Sequence, residues 1–96
     1  MQLKDFIPLI NKKFRKVSFS GIAFDSSKVR KDNIFFAIKG NKFDGNNYIN
    51  SAIKSGAKII ISENKILKKD ENIIFIYTKN VRKLLAQVSF KILNKK

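Results

Sequence analysis

The sequence predicts an α/β fold: a single small domain with a mostly parallel sheet of about four strands flanked by helices. Three observations carry this expectation. Short apolar runs alternate with segments of helical periodicity, the pattern of a sheet covered by helices. Two of the runs, Ala57-KIIIS-Glu63 and Asn72-IIFIY-Thr78, are continuously apolar, as strands buried on both faces are. The chain has 96 residues, 44% of them hydrophobic and 29% charged, which suits one ordinary globular domain with one modest core.

Taken in order, Leu3, Phe6, Ile7, Ile10 and Phe14 fall at helical spacing and predict an opening helix, with Asp5 as its N-cap and Pro8 in its first turn. Val17 to Phe24 alternates as VSFSGIAF and reads as a strand, its phase slipping at Gly21 and its end marked by Asp25-Ser26-Ser27. The run IFFAIK between Asn33 and Gly40 reads as a buried strand. Gly40 to Asn47, GNKFDGNN, is the strongest turn signal in the chain. A helix follows, carrying Tyr48, Ile49, Ala52 and Ile53, with Gly56 placed as its C-cap. ENKILKKDE, between the two isoleucine-rich strands, reads as a loop with a helical turn. Thr78 or Asn80 caps a last helix whose stripe is Val81, Leu84, Leu85, Val88 and Ile92, with Phe90 at its edge.

Composition narrows the chemistry. There is no cysteine and no histidine, so disulfides, thiolate metal sites and imidazole catalysis are absent. Apolar runs such as IFFAI and IIFIY are far shorter than the ~20 residues that span a bilayer, and the start MQLKDFIPL does not read as a signal peptide. The expected location is cytoplasmic, with no membrane partner. The net charge of +14 invites a nucleic-acid reading, that of a small basic nucleic-acid-binding protein. Against it, only Arg15, Arg30 and Arg82 among 21 basic residues are arginine, the residue that reads guanine and phosphate bidentately. The positive charge also forms no single block, so the expectation is no nucleic-acid partner.

No glycine-rich loop ending in Gly-Lys-Ser/Thr occurs in the sequence. The seven acids form no evident acid/base pair, and Ser26 and Ser27 have no candidate base. The inventory is that of a binding module, with no catalytic residue and no metal ligand set of its own. Two loops stand out, Asp25-Ser26-Ser27 and GNKFDG, because each follows the carboxyl end of an expected strand, where ligands bind open α/β sheets. Serine hydroxyls, Asn41, Lys42 and backbone N–H groups there suit a polar anion such as a nucleotide. The same residues also suit a purely structural role as turn and cap formers.

The run GIAFDSSKVRKDNIFFAIKGNKFDG from Gly21 to Gly45 resembles the N-terminal, UDP-binding domain of the Mur ligase family. The family signature reads roughly D-S-R-x-V-x-x-G-D-x-F-x-A-x-x-G, then D-G, an aromatic, and a helix ending in G-A. Asp25-Ser26, Val29, Phe35, Ala37, Gly40, Asp44-Gly45, Tyr48-Ile49, Ala52 and Gly56-Ala57 stand in register with it. The later segment NVRKLLAQVSFKIL is similar to the MurE type, whose members add meso-diaminopimelate or lysine to UDP-N-acetylmuramoyl-L-alanyl-D-glutamate. The alternative within the family is the MurF type, which adds D-Ala-D-Ala. The resemblance implies that residues 1–96 are the substrate-anchoring domain. It also implies a full-length enzyme that forms an amide bond through an acyl phosphate, using ATP and Mg2+ bound in central and C-terminal domains beyond this stretch. By position it assigns UDP contacts to Phe24, Ser26, Asn41, Lys42 and Phe43, and turn roles to Asp25, Gly40, Asp44 and Gly45. Three positions depart from the pattern: Ser27 replaces an arginine, Asp32-Asn33 replaces G-D, and Asn41 replaces a frequent histidine.

Overall fold

The computed structural model describes residues 1–40, 44–64 and 72–94. Its centre is a four-stranded parallel sheet in the order β1-β2-β3-β4: β1 Gly21–Ala23, β2 Asn33–Ala37, β3 Ile59–Ser62 and β4 Ile74–Tyr77. The pairing lines residues up in rows across the strands. Ile22, Ile34, Ile59 and Ile74 form one row, and Ala23, Phe35, Ile60 and Phe75 the next. Successive residues of a strand point to opposite faces, so alternate rows feed alternate cores.

One core holds Ile34, Phe36, Ile59 and Ile61 against Leu3, Phe6, Phe19, Val81 and Val88; the other holds Ala23, Phe35, Ala37 and Ile60 against Val29, Ala52 and Ala57. Every residue from Ile34 to Ala37 and from Ile59 to Ser62 is fully buried, which is why these strands are apolar runs with no polar face. The expected α/β class and parallel sheet are present as read.

The opening of the chain departs from expectation. Helix α1 is one turn, Leu3–Phe6, capped at Gln2 rather than Asp5, which lies inside it. Ile7 leaves the helix at φ −129° because it precedes Pro8, and the proline ring disfavours helical geometry in the residue before it. A separate 3₁₀ turn, Lys12–Phe14, resumes the path, so Ile10 and Phe14 still reach the core without a continuous helix. The strand expected over Val17–Phe24 is also split. Ser18 bridges antiparallel to Gln2, and β1 proper starts at Gly21, where the alternation slips.

Between β1 and β2 lies the 3₁₀ turn Ser26–Lys28, followed by Asp32 at φ +65°. The glycine usual in the Mur pattern belongs at this position for that reason; aspartate is among the few residues that tolerate it. Asn33 replaces the usual aspartate and performs two tasks. Its Oδ1 accepts the Arg30 N–H at 2.9 Å, as a carboxylate would, and its Nδ2 donates to Ser20 Oγ at 3.0 Å, as a carboxylate would not.

A 3₁₀ turn, Gly45–Tyr48, leads into α2, Ile49–Lys54, and Gly56 ends that helix at φ +115°. The loop with a helical turn expected in ENKILKKDE falls for the most part outside the described residues. Asn80 caps α3, Val81–Asn94, by accepting the Lys83 N–H at 3.0 Å. The expected stripe packs inward, with Val81 and Val88 fully buried and Phe90 left 68% exposed.

Gly56 combines two constraints: its positive φ, and a Cβ position 2.8 Å from Lys31 Cα. Gly56→Ala is therefore expected to destabilise the domain by at least about 2 kcal/mol. In a domain of this size that lowers the melting temperature by about 8–16 °C. The neighbouring exposed Ser55→Ala should stay within about 0.5 kcal/mol. A thermal melt in which Gly56→Ala matches the parent contradicts this account of the turn.

Candidate functional site

All four strands run the same way, so their carboxyl ends share one edge of the sheet, and the loops leaving that edge build the candidate site. Phe24 emerges directly after β1 and is 58% exposed. Asp25 turns back on itself: its Oδ1 accepts the Ser27 N–H at 2.9 Å and the Ser27 hydroxyl at 2.7 Å. These bonds, the hydroxyl's first, hold the Asp25 carboxyl below the usual carboxylate range. The Ser26 hydroxyl, by contrast, takes no hydrogen bond among the described residues.

The loop after β2 closes on its own strand. Lys39 and Asp44 form an antiparallel bridge, and the Gly45 N–H donates to the Ile38 carbonyl at 2.7 Å. A side chain at Gly45 would meet Ile38 N at 2.7 Å and Ile38 O at 2.9 Å, so only glycine permits this approach. Asp44 repeats the Asp25 device. Its Oδ1 accepts the Asn46 side-chain amide at 2.7 Å and the Asn46 N–H at 2.9 Å, which lowers its pKa, the side-chain bond dominating. Asn46 Oδ1 in turn accepts the Ser62 hydroxyl at 2.6 Å, and Ser62 Oγ accepts the Asn64 N–H at 3.0 Å. Glu63, next on β3's exit, accepts the Val81 N–H at 3.0 Å and so fixes the start of α3 at the same edge.

These ties enclose a cleft of about 560 Å³ lined by Phe24, Asp25, Ser26, Ser27, Ile38, Tyr48 and Arg82. Phe24 and Ser26, two of the residues singled out in the sequence, are thereby brought together. Asn41, Lys42 and Phe43 lie outside the described residues. Asp25, Asp44 and Gly45 act as turn formers, as expected. Tyr48 and Arg82 were not anticipated as cleft residues, although Tyr48 is the aromatic after D-G and Arg82 is one of three arginines in a lysine-rich chain. A larger cavity of about 720 Å³ lies between residues 6–14, β4 and α3; it has a mainly apolar lining and contains none of the candidate residues.

The cleft offers two aromatic rings, the Ser26 hydroxyl and a guanidinium, along with the Asp25 carboxylate that the Ser27 hydroxyl already engages, a set of groups that suits a planar heterocycle carrying an anionic group. The sequence contains no phosphate-cradling Gly-Lys-Ser/Thr loop, and among the described residues no three His, Cys, Asp or Glu side chains converge. Among the described residues, too, no helix is long and apolar enough to cross a membrane.

Fold and cleft together define a parallel α/β domain with a cleft at the carboxyl edge of its sheet. Residues 18–89 match the family described as Mur ligase family, catalytic domain. The chain is 38% identical over 78 residues to the UDP-N-acetylmuramoyl-L-alanyl-D-glutamate--2,6-diaminopimelate ligase of Rickettsia prowazekii, covering 81% of this chain and 16% of that protein. It is 44% identical over 75 residues to the Clostridium tetani protein of the same name, covering 74% and 15%. Among solved structures it is similar to the MurF ligase of Thermotoga maritima in complex with ADP. There the identity is 30% and the TM-score 0.62, over 75% of this chain and 16% of that one. The chain belongs to the Mur ligase family. It spans about a sixth of the length of these relatives.

The two capping aspartates give the loops an acid limit. Each carboxyl falls below its ordinary value of 3.8 on folding. Their stabilisation is therefore complete above that value and is lost as pH falls through the lowered folded pKa. Carboxyl carbon resonances of Asp25 and Asp44 are expected to titrate below 3.8, with the Ser27 and Asn46 amides moving only in that acid window. Midpoints at or above 3.8 would mean the capping bonds do not form in solution.

Proposed function

We propose that this domain holds the uridine-diphosphate end of UDP-N-acetylmuramoyl-L-alanyl-D-glutamate for a MurE-type ligase. That enzyme adds the third amino acid, meso-diaminopimelate or lysine, to a peptidoglycan precursor in the cytoplasm. The observation that carries this reading is the cleft at the carboxyl ends of β1 and β2, which joins Phe24 to the Ser26 hydroxyl, unpartnered among the described residues. Relatives at 38% and 44% identity bear the name of the diaminopimelate-adding ligase, which favours the MurE type. The MurF type remains the second reading, favoured by the similarity to the Thermotoga maritima structure. Both readings give this domain the same task, since they differ in the amino acid joined far from the uridine end.

In this proposal Phe24 packs against the uracil ring, the Ser26 hydroxyl bonds its polar edge, and Asn41, Lys42 and Phe43 complete the contact from the neighbouring loop. The family match is described as a catalytic domain. The contribution we assign to this stretch is to anchor substrate, while ATP and Mg2+ chemistry belongs to the central and C-terminal domains. Such anchoring acts equally on ground and transition states and so sets KM rather than kcat.

The test is an amide-shift titration of the chain with UMP and, separately, with a DNA duplex. UMP is expected to bind with a Kd of about 1 mM, because half a site lacks the contacts of the rest of the enzyme. Shifts should centre on Phe24, Ser26, Ile38 and Tyr48. Ser26→Ala should weaken UMP binding about 2- to 13-fold, the worth of one neutral hydrogen bond. Tight, sequence-selective DNA binding would overturn the reading in favour of a basic nucleic-acid-binding protein.

A further inference from the structure

Arg82 stands where helix electrostatics disfavour it. It is the second residue of α3, and the N-terminal turn of a helix carries partial positive charge that repels cations. No acidic residue lies within that turn of the helix itself, and the one carboxylate that reaches it among the described residues, Glu63, is bound to the Val81 N–H. Nor does the helix need Arg82 for capping. Glu63 already accepts the Val81 N–H, and Asn80 accepts the Lys83 N–H. The Arg82 side chain is exposed and forms no ion pair or hydrogen bond among the described residues. Instead it lines the cleft that Phe24, Ser26 and Tyr48 line. Its neighbour Lys83 has the same charge and the same exposure but is not part of that lining.

We propose that Arg82 is a phosphate-binding residue of this cleft and sets its preference for a nucleotide over a nucleoside. The inference rests on the reading of the cleft as a uridine-nucleotide site and goes one step beyond it, to the residue that meets the anion. A guanidinium presents paired N–H donors in a plane that matches two oxygens of one phosphate, which an ammonium does not. The Glu63–Val81 bond ties the base of Arg82 to the exit of β3, so the charge is held at the sheet edge that carries the base-binding loops. With Phe24, Ser26 and Arg82 all lining one cleft, a ligand that is aromatic at one end and anionic at the other has a partner for each.

The experiment titrates uridine, UMP and UDP into the chain and into Arg82→Gln, Arg82→Lys and Lys83→Gln, at low and high salt. The parent is expected to prefer UMP and UDP over uridine by about five- to tenfold, as suits a partly solvated cation–phosphate pair. Arg82→Gln should bring the nucleotide and nucleoside affinities to within about twofold and remove most of the salt dependence, while uridine affinity and the melting temperature stay put. Arg82→Lys should fall between, because it keeps the charge and loses the fork. Lys83→Gln should behave like the parent, which separates a specific contact from the general pull of a +14 chain. If the nucleotide preference survives in Arg82→Gln, the Arg82 assignment is wrong and the uridine reading stands. If neither uridine nor UMP perturbs the cleft of the parent, both fall together.

Discussion

The burial of β2 and β3 on both faces is the constraint from which the rest of this domain follows. With neither face of these two strands turned to water, both surfaces of the sheet must be covered there. The chain does this with α1 and α3 on one side and α2 with its flanking turns on the other. Parallel pairing follows from the same constraint, because each strand is joined to the next by a crossover that returns the chain to its starting edge. All exits then lie at one edge and all entries at the other. The candidate site is thus a by-product of strand direction before it is a set of side chains.

At that edge, short polar residues tie the loops to one another. Asp25 and Asp44 each close a tight turn, and Ser62 connects the end of β3 to Asn46 in the turn before α2. Glu63 extends the same edge to α3. No side-chain polar atom is buried without a partner among the described residues. Satisfied groups of this kind give rigidity to the edge they tie together. The exceptions are informative: the Ser26 hydroxyl and the Arg82 guanidinium share the cleft and have no side-chain partner among the described residues.

The similarity to known ligases and the physical reading meet at individual residues. Where the family pattern has glycine before β2, Asp32 holds the same left-handed backbone, so the departure leaves the turn intact. Where the pattern has aspartate, Asn33 keeps the bond to the Arg30 N–H and adds one to Ser20. Ser27, standing where arginine is usual, is absorbed into the Asp25 turn and brings no charge to the cleft. These substitutions preserve the scaffold while changing the polar groups around the site.

Much of this was legible in the sequence, for a reason. Apolar continuity in IFFAI, KIII and IIFIY reports burial on two faces, and glycine at 45 and 56 reports backbone that no other residue tolerates. These are local consequences of sterics and hydration, so strands, turns and the last helix could be read from neighbouring residues alone. The first helix was over-read because its apolar spacing is genuine while its backbone is interrupted: Pro8 forces Ile7 out of the helix, and packing then recovers Ile10 and Phe14 by another path. Phe24 and Ser26 could be named because they flank a strand end and match a family pattern. Tyr48 and Arg82 could not, since nothing within reach of either in sequence points to Ser26. Only the folded sheet, by bringing the exits of β1 and β2 and the start of α3 to one edge, decided that residues 24, 26, 48 and 82 share a cleft. Periodicity encodes which side of an element is buried, but long-range adjacency is set by strand order and direction, which no local stretch of sequence contains.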